Sequence, residues 1–268
     1  MAKLSRIVYE FLDGPAVCES IDVPPRPPPP APALPRALVA AAVALIAVGA
    51  WDLMVEPSAE AKEPGKAKGT FEFGCRVQAP QKFLERRSFL RGGALDLHKH
   101  GAAVRYMAER YGNVGDELTA RYNKRSAPSQ ARSTRFFGLP ITVHEKIAPA
   151  LRCVEKRIAK TCTGASSYTP HVVGGLRTAN TYRGVEISNH LFGVAVDIDP
   201  DRNPCCGCVD PWPNNPACKI QGTVWKRAAL PKCWVKAFER SGFDWLGHDT
   251  LEDTMHFEFL GDPDRITR

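Results

Sequence analysis

Hydrophobic positions along the chain form one long uncharged run and a series of short periodic segments. The run extends from Ala37 to Trp51; Asp52 interrupts it before Leu53, Met54 and Val55. Taken as residues 37–55, it spans roughly 28 Å at about 1.5 Å per residue, enough for one membrane helix. A signal-peptide core cleaved near Ala50 is the alternative, but 36 residues precede the run, more than an ordinary n-region. The preferred reading is an uncleaved transmembrane signal anchor. Residues 1–36 form a tail with eight prolines between 24 and 35, expected as extended polyproline II. Residues 56–69, rich in Ala, Glu, Lys, Pro and Gly, read as a flexible linker. The globular part is then residues 70–268.

Within that part the periodicity changes once. Leu97, Ala102, Val104, Met107 and Tyr111 predict a helix over 97–112, stopped by Gly112. Ile141, Val143, Ile147, Leu151, Val154 and Ile158 predict a second helix over 141–160, with a kink at Pro149. Residues 113–135 are polar and weakly patterned, and read as a long loop. From residue 170 onward, short apolar segments alternate with Gly, Pro and Asn, which favours strands and loops. Val194–Asp199 is the clearest strand, Trp234–Glu239 a helix and Met255–Phe259 a final strand. Helices first and a sheet region afterwards imply an α+β fold, a small mixed or antiparallel sheet with flanking helices, preceded by the single N-terminal membrane helix.

Composition narrows this picture in two ways. Nine cysteines divide into Cys18 before the apolar run and eight after it, an even set that can pair fully in an oxidising compartment. Cys205, Cys206, Cys208, Cys218 and Cys233 are open to disulfides or a structural zinc site; adjacent cysteines and the compartment favour disulfides. The pairing is not assignable from sequence. The net charge is +7, and residues 1–51 carry four basic and four acidic side chains, so the excess lies beyond the run. It suits an anionic envelope, and no nucleic-acid motif accompanies it.

The chemistry concentrates in Ser188-Asn189-His190-Leu191-Phe192-Gly193-Val194-Ala195-Val196-Asp197 and in Asp253-Thr254-Met255-His256-Phe257-Glu258. Strand alternation puts Asp197 opposite in facing to Val196 and Ile198, and His256 with Glu258 opposite to Phe257 and Phe259. Gly193 lets the chain turn so that His190 folds back toward Asp197. Two imidazoles and a carboxylate suit zinc with an open fourth position. Asp253 is a candidate proton carrier and Arg177 a candidate oxyanion partner, with Arg183 close by. Asp199 reads as a local hydrogen-bond acceptor, and Glu258 as either an orienting partner of a ligand histidine or a solvated carboxylate. His98 and His100 stand about 200° apart on a helix and do not converge on one ion. His248 reads as a loop histidine.

S-x-H-x-x-G-x-A-x-D followed by D-x-x-H-F-E resembles the zinc D-alanyl-D-alanine carboxypeptidases, dipeptidases and L-alanyl-D-glutamate endopeptidases of bacteria and phages. The resemblance covers roughly residues 170–260. It implies a fold shared with hedgehog signalling domains, His190, Asp197 and His256 as zinc ligands, Asp253 as general base and Arg177 polarising the scissile carbonyl. Gly242-Phe243-Asp244-Trp245-Leu246-Gly247 is similar to a segment that often precedes the second motif. Met255 departs from the Pro or Trp usual before the second histidine. Glu252 competes with Asp253, since in a regular strand Glu252 shares the His256 face.

The expected function is a zinc peptidase cutting peptidoglycan stem peptides from a single-pass inner-membrane anchor, with the domain extracytoplasmic. The partners expected are the stem peptide and the membrane, with no nucleic acid. A wall-binding or partner-binding module that keeps the fold without catalysis is the competing reading.

Overall fold

A computed structural model describes residues 69–182, 186–208 and 212–267. The tail, the apolar run at 37–55, nearly all of the linker, Cys18 and Arg183 lie outside the described residues. Among those described, no helix is long and apolar enough to cross a membrane.

In chain order the elements are β1 (Phe71–Glu72), β2 (Cys75–Arg76), α1 (Arg86–Phe89), β3 (Leu90–Arg91), β4 (Ala94–Leu95) and α2 (Leu97–Tyr111). There follow α3 (Glu117–Tyr122), β5 (Ala131–Phe136), β6 (Leu139–His144), α4 (Ala148–Thr161), β7 (Val173–Gly174) and β8 (Ala195–Ile198). The chain closes with α5 (Lys232–Glu239), β9 (Phe243–Trp245) and β10 (His256–Phe259). The α+β expectation holds at this level.

Asp96 caps α2 by accepting from the Lys99 amide, and Gly112 ends it, as the spacing predicts. The helix expected over 141–160 is corrected. Its first part is β6, paired along its whole length with β5, and the helix begins only at Ala148. Ile141 and Val143 are buried by strand alternation, while Ile147, Leu151, Val154 and Ile158 continue the buried face beyond. Pro149 lies in the first turn of α4, where its missing N–H costs nothing, and it kinks nothing. The long loop expected over 113–135 is corrected as well, since it contains α3 and β5. Asp116 caps α3 through the Thr119 amide, a signal the weak hydrophobic pattern concealed.

The sheet that carries the site has four antiparallel strands in the order β7-β8-β10-β9. Its register sets Asp197 opposite His256, Ala195 opposite Glu258, and Glu258 opposite Asp244. All five therefore share one face. The other face presents Val196, Ile198, Phe243, Phe257 and Phe259, all buried. There α5 packs, with Phe238 stacked on Phe257 at 4.0 Å between ring centres and edge-on to Phe243 at 5.1 Å. This core is the rigid backing on which the polar face is held.

All eight cysteines beyond the apolar run are paired: Cys75–Cys153, Cys162–Cys233, Cys205–Cys208 and Cys206–Cys218. The first two close loops of 78 and 71 residues, each worth about 4 kcal/mol in the chain-entropy account. Cys162–Cys233 ties the end of α4 to the start of α5.

Arg86, buried on α1, links the early part of the fold to the site. Its guanidinium donates to Glu186 at 2.5 Å and to Asp249 at 2.6 Å, and all three side chains are nearly buried. Arg86→Met removes the charge that two buried carboxylates need. It is expected to destabilise the protein by about 3 kcal/mol, measured as a lower urea midpoint at unchanged slope.

Candidate metal centre

His190, Asp197 and His256 converge. One ligand atom from each lies within 4.8 Å of the others, and all three residues are buried. The His190 Nε2 is 3.1 Å from His256 Nδ1 and 3.2 Å from an Asp197 oxygen; His256 Nδ1 is 2.8 Å from the other.

The local sequence explains the convergence. Gly193 has φ +69°, and its N–H closes a turn onto the His190 carbonyl at 3.0 Å. A Cβ there would sit 2.9 Å from the His144 amide nitrogen, so glycine is required both by conformation and by space. The Ser188 hydroxyl accepts from the His190 amide at 3.4 Å. Once the chain is turned, β8 delivers Asp197 and its neighbour β10 delivers His256 directly opposite.

The ring nitrogens facing away from the cluster are also engaged. His190 Nδ1 lies 2.6 Å from the Gly175 carbonyl, an acceptor, so it carries the proton. His256 Nε2 lies 3.0 Å from Glu258 Oε1 and donates to it. Both rings thus turn an unprotonated nitrogen inward when neutral, the tautomers a metal requires. Glu258 is 3 % exposed, which favours the orienting role over the solvated one.

Asp253 sits at the rim of this cluster, in a turn just ahead of β10. Its amide donates to the Leu246 carbonyl at 3.1 Å, and its carbonyl accepts from the His256 amide at 3.5 Å. Asp253 is buried and its Oδ1 has no hydrogen-bond partner. Burial pushes its carboxyl up to about 7. Glu252 is turned away: it has φ +46° and pairs with Arg227 at 2.5 Å. The backbone before β10 is therefore irregular rather than a continued strand.

Arg177 reaches the cluster from beyond β7 and donates to Asp197 Oδ2. Its side chain is one-third exposed, so it lies where the site opens to solvent. Asp199 accepts from the amides of His171 and Val172 and from the Tyr168 hydroxyl, all within 2.7 Å, as a local acceptor does. His98 and His100 lie on α2, and His248 packs against Trp225 and Trp245. None of these three joins the cluster.

Two contributors have little sequence signature. The Gly175 carbonyl acts through backbone, which residue identity does not announce. Asp244, opposite Glu258, was readable only as the polar member between Phe243 and Trp245. Burial raises its carboxyl to about 7, with Arg87 at 3.1 Å opposing that rise.

The charges bear on metal uptake. Burial alone lowers both histidines, and His190 stays lowered. For His256, hydrogen bonds to Asp197 and Glu258 outweigh burial and raise it to about 10. The metal-free protein therefore keeps a proton on His256 through neutral pH, and an incoming cation must displace it. Below that pKa, affinity for a divalent cation is expected to rise about tenfold per pH unit. Chelator competition between pH 7.5 and 9 measures the slope; a flat profile means that His256 is already neutral in the metal-free protein.

His190, Asp197 and His256 form a buried three-residue group on an antiparallel sheet that could hold a metal ion. A model of the family described as D-alanyl-D-alanine carboxypeptidase matches residues 182–259, which include His190, Asp197, Asp253 and His256 but not Arg177. The matched segment covers less than a third of the 268 residues. No curated protein and no solved structure matches the chain significantly.

Proposed function

We propose that the chain is a zinc-dependent peptidase that hydrolyses peptidoglycan stem peptides, of the D-Ala-D-Ala carboxypeptidase type or the L-Ala-D-Glu endopeptidase type. The observation that carries the reading is the meeting of His190, Asp197 and His256 beside the unpartnered carboxylate oxygen of Asp253, inside the family-matched segment. Two imidazoles and one carboxylate, with both outer ring nitrogens already donating, fit zinc in a catalytic arrangement. Zinc bound there supplies a Lewis acid that polarises the scissile carbonyl and lowers the pKa of the attacking water.

The rest of the work falls to the chain. His190, Asp197 and His256 hold the ion, with Gly175 and Glu258 fixing the ring orientations. Asp253 Oδ1 accepts the proton of the attacking water and returns it to the leaving nitrogen. A carboxyl poised near neutrality serves both directions of that transfer. Arg177, one-third exposed at the open edge, turns from Asp197 to the developing oxyanion.

The topology belongs to the same proposal. Residues 37–55 anchor the chain in the inner membrane, and the domain works on the outer, oxidising side. Four disulfides among the described residues support that placement. The excess positive charge, all beyond residue 51, suits an anionic wall.

Mass spectrometry of products from defined stem peptides tests the reading and separates its two branches. Loss of a terminal D-alanine marks the carboxypeptidase, and release of L-alanine from the remainder marks the endopeptidase. Intact peptides with zinc-loaded protein reject both and favour the binding module.

A further inference from the structure

The turn that carries Asp253 is held from within by the Glu252 amide on the Asp249 carbonyl at 3.0 Å and the Asp253 amide on the Leu246 carbonyl at 3.1 Å, and also from outside. Glu252 has a positive φ, and its neighbours bond outward, to the cysteine-rich segment that follows β8. Cys205 forms an isolated antiparallel bridge with Asp253. The Gly207 amide donates to the Leu251 carbonyl at 2.7 Å and the Cys206 amide to the Glu252 carbonyl at 3.4 Å. The Thr254 amide and hydroxyl both donate to the Pro204 carbonyl, at 3.2 and 2.9 Å. Residues 204–207 thus template four consecutive residues, 251–254.

That template is itself fixed to the strand bearing Asp197. Asn203 is fully buried; its amide donates to the Ile198 carbonyl at 3.0 Å, and its oxygen accepts from the Ala229 and Leu230 amides. Cys205 and Cys208 close a ring across this segment, with the Cys208 amide donating to the Cys205 carbonyl at 3.3 Å. Both sulfurs and a carboxylate oxygen of Asp253 lie within 4.8 Å of one another. A disulfide offers no O–H or N–H, so this wall leaves Asp253 Oδ1 free for another partner. Gly207 permits the close approach, because a Cβ there would lie 2.6 Å from the Leu251 carbonyl oxygen and 2.7 Å from that of Thr250.

We propose that the Cys205–Cys208 ring, with Gly207 inside it, is the positioning element of Asp253: it sets that carboxylate relative to Asp197 and thereby the rate of the chemical step. The inference rests on the reading of Asp253 as general base. It assigns to the ring a role distinct from that of Cys75–Cys153 and Cys162–Cys233, which close loops of 78 and 71 residues. Proton-transfer catalysis tolerates little misplacement, since the carboxylate must stay within hydrogen-bond reach of the proton it takes.

The test uses the zinc-loaded full chain and a defined stem peptide, with Cys205→Ala/Cys208→Ala and, separately, Gly207→Ala. Both variants are expected to lose at least tenfold in kcat, with KM and bound zinc unchanged. A kcat within twofold of the parent in both variants overturns the proposal. So does a loss matched by equal loss of zinc, because that is a general structural effect. Should the double variant not fold, Gly207→Ala decides alone. Amide exchange at Thr254 reads the positioning independently of turnover: exchange at least tenfold faster supports it, and unchanged exchange overturns it. A parent that cleaves no stem peptide counts against the functional reading, while Thr254 exchange still decides the positioning.

Discussion

His190→Ala is expected to cost at least a hundredfold in zinc affinity and to reduce stem-peptide hydrolysis to background. The lower bound follows from the ~10–100-fold cost of losing only an outer partner of a metal ligand. Here a ligand itself goes. His190 supplies one of three donor atoms and is 1 % exposed. The fold should survive, because the sheet and its aromatic backing do not depend on the imidazole. Zinc content by competition with a chelating dye and circular dichroism of the same sample check both halves. Full zinc content in a folded His190→Ala protein places the metal elsewhere.

Asp253→Asn separates binding from chemistry. Asparagine keeps the size and the backbone bonds to Leu246 and His256 but cannot take a proton. General acid–base catalysis contributes typically ~10²–10⁴-fold, so kcat is expected to fall within that range while zinc content and KM hold. Glu252→Gln is the control, since its carboxylate pairs with Arg227 away from the cluster. A large loss for Glu252→Gln and none for Asp253→Asn would reverse the assignment of the base. A single-turnover measurement under saturating peptide distinguishes the two without interference from product release.

The site was more legible in the sequence than the first half of the fold. His190, Gly193 and Asp197 lie within eight residues, where a turn and a strand suffice to bring the ends together. His256 is 59 residues from Asp197, and polar-apolar alternation with Phe257 and Phe259 sets its facing on the strand whatever the register. By contrast, Ile141 and Val143 lie at spacings compatible with both periods, and the apolar face of the following helix drew them into its pattern. What decides between them is pairing with β5, a contact that hydrophobic spacing does not encode. The polar β5 gave no signal of its own, since most of it is exposed or half-exposed. Outer contacts of the site were the least legible. The Gly175 carbonyl, the Pro204 carbonyl and the Cys205–Asp253 bridge are backbone interactions between distant segments, and residue types do not report them. The disulfide partners belong to the same class: an even number of cysteines implies pairing, but connectivity follows from the packed fold.

Digestion of purified sacculi by the full chain, with and without zinc, tests the central claim most directly. The account predicts shortened stem peptides in the presence of zinc, none after chelation, and recovery when zinc is restored. Unaltered muropeptides from protein shown to hold one zinc at His190, Asp197 and His256 would contradict it.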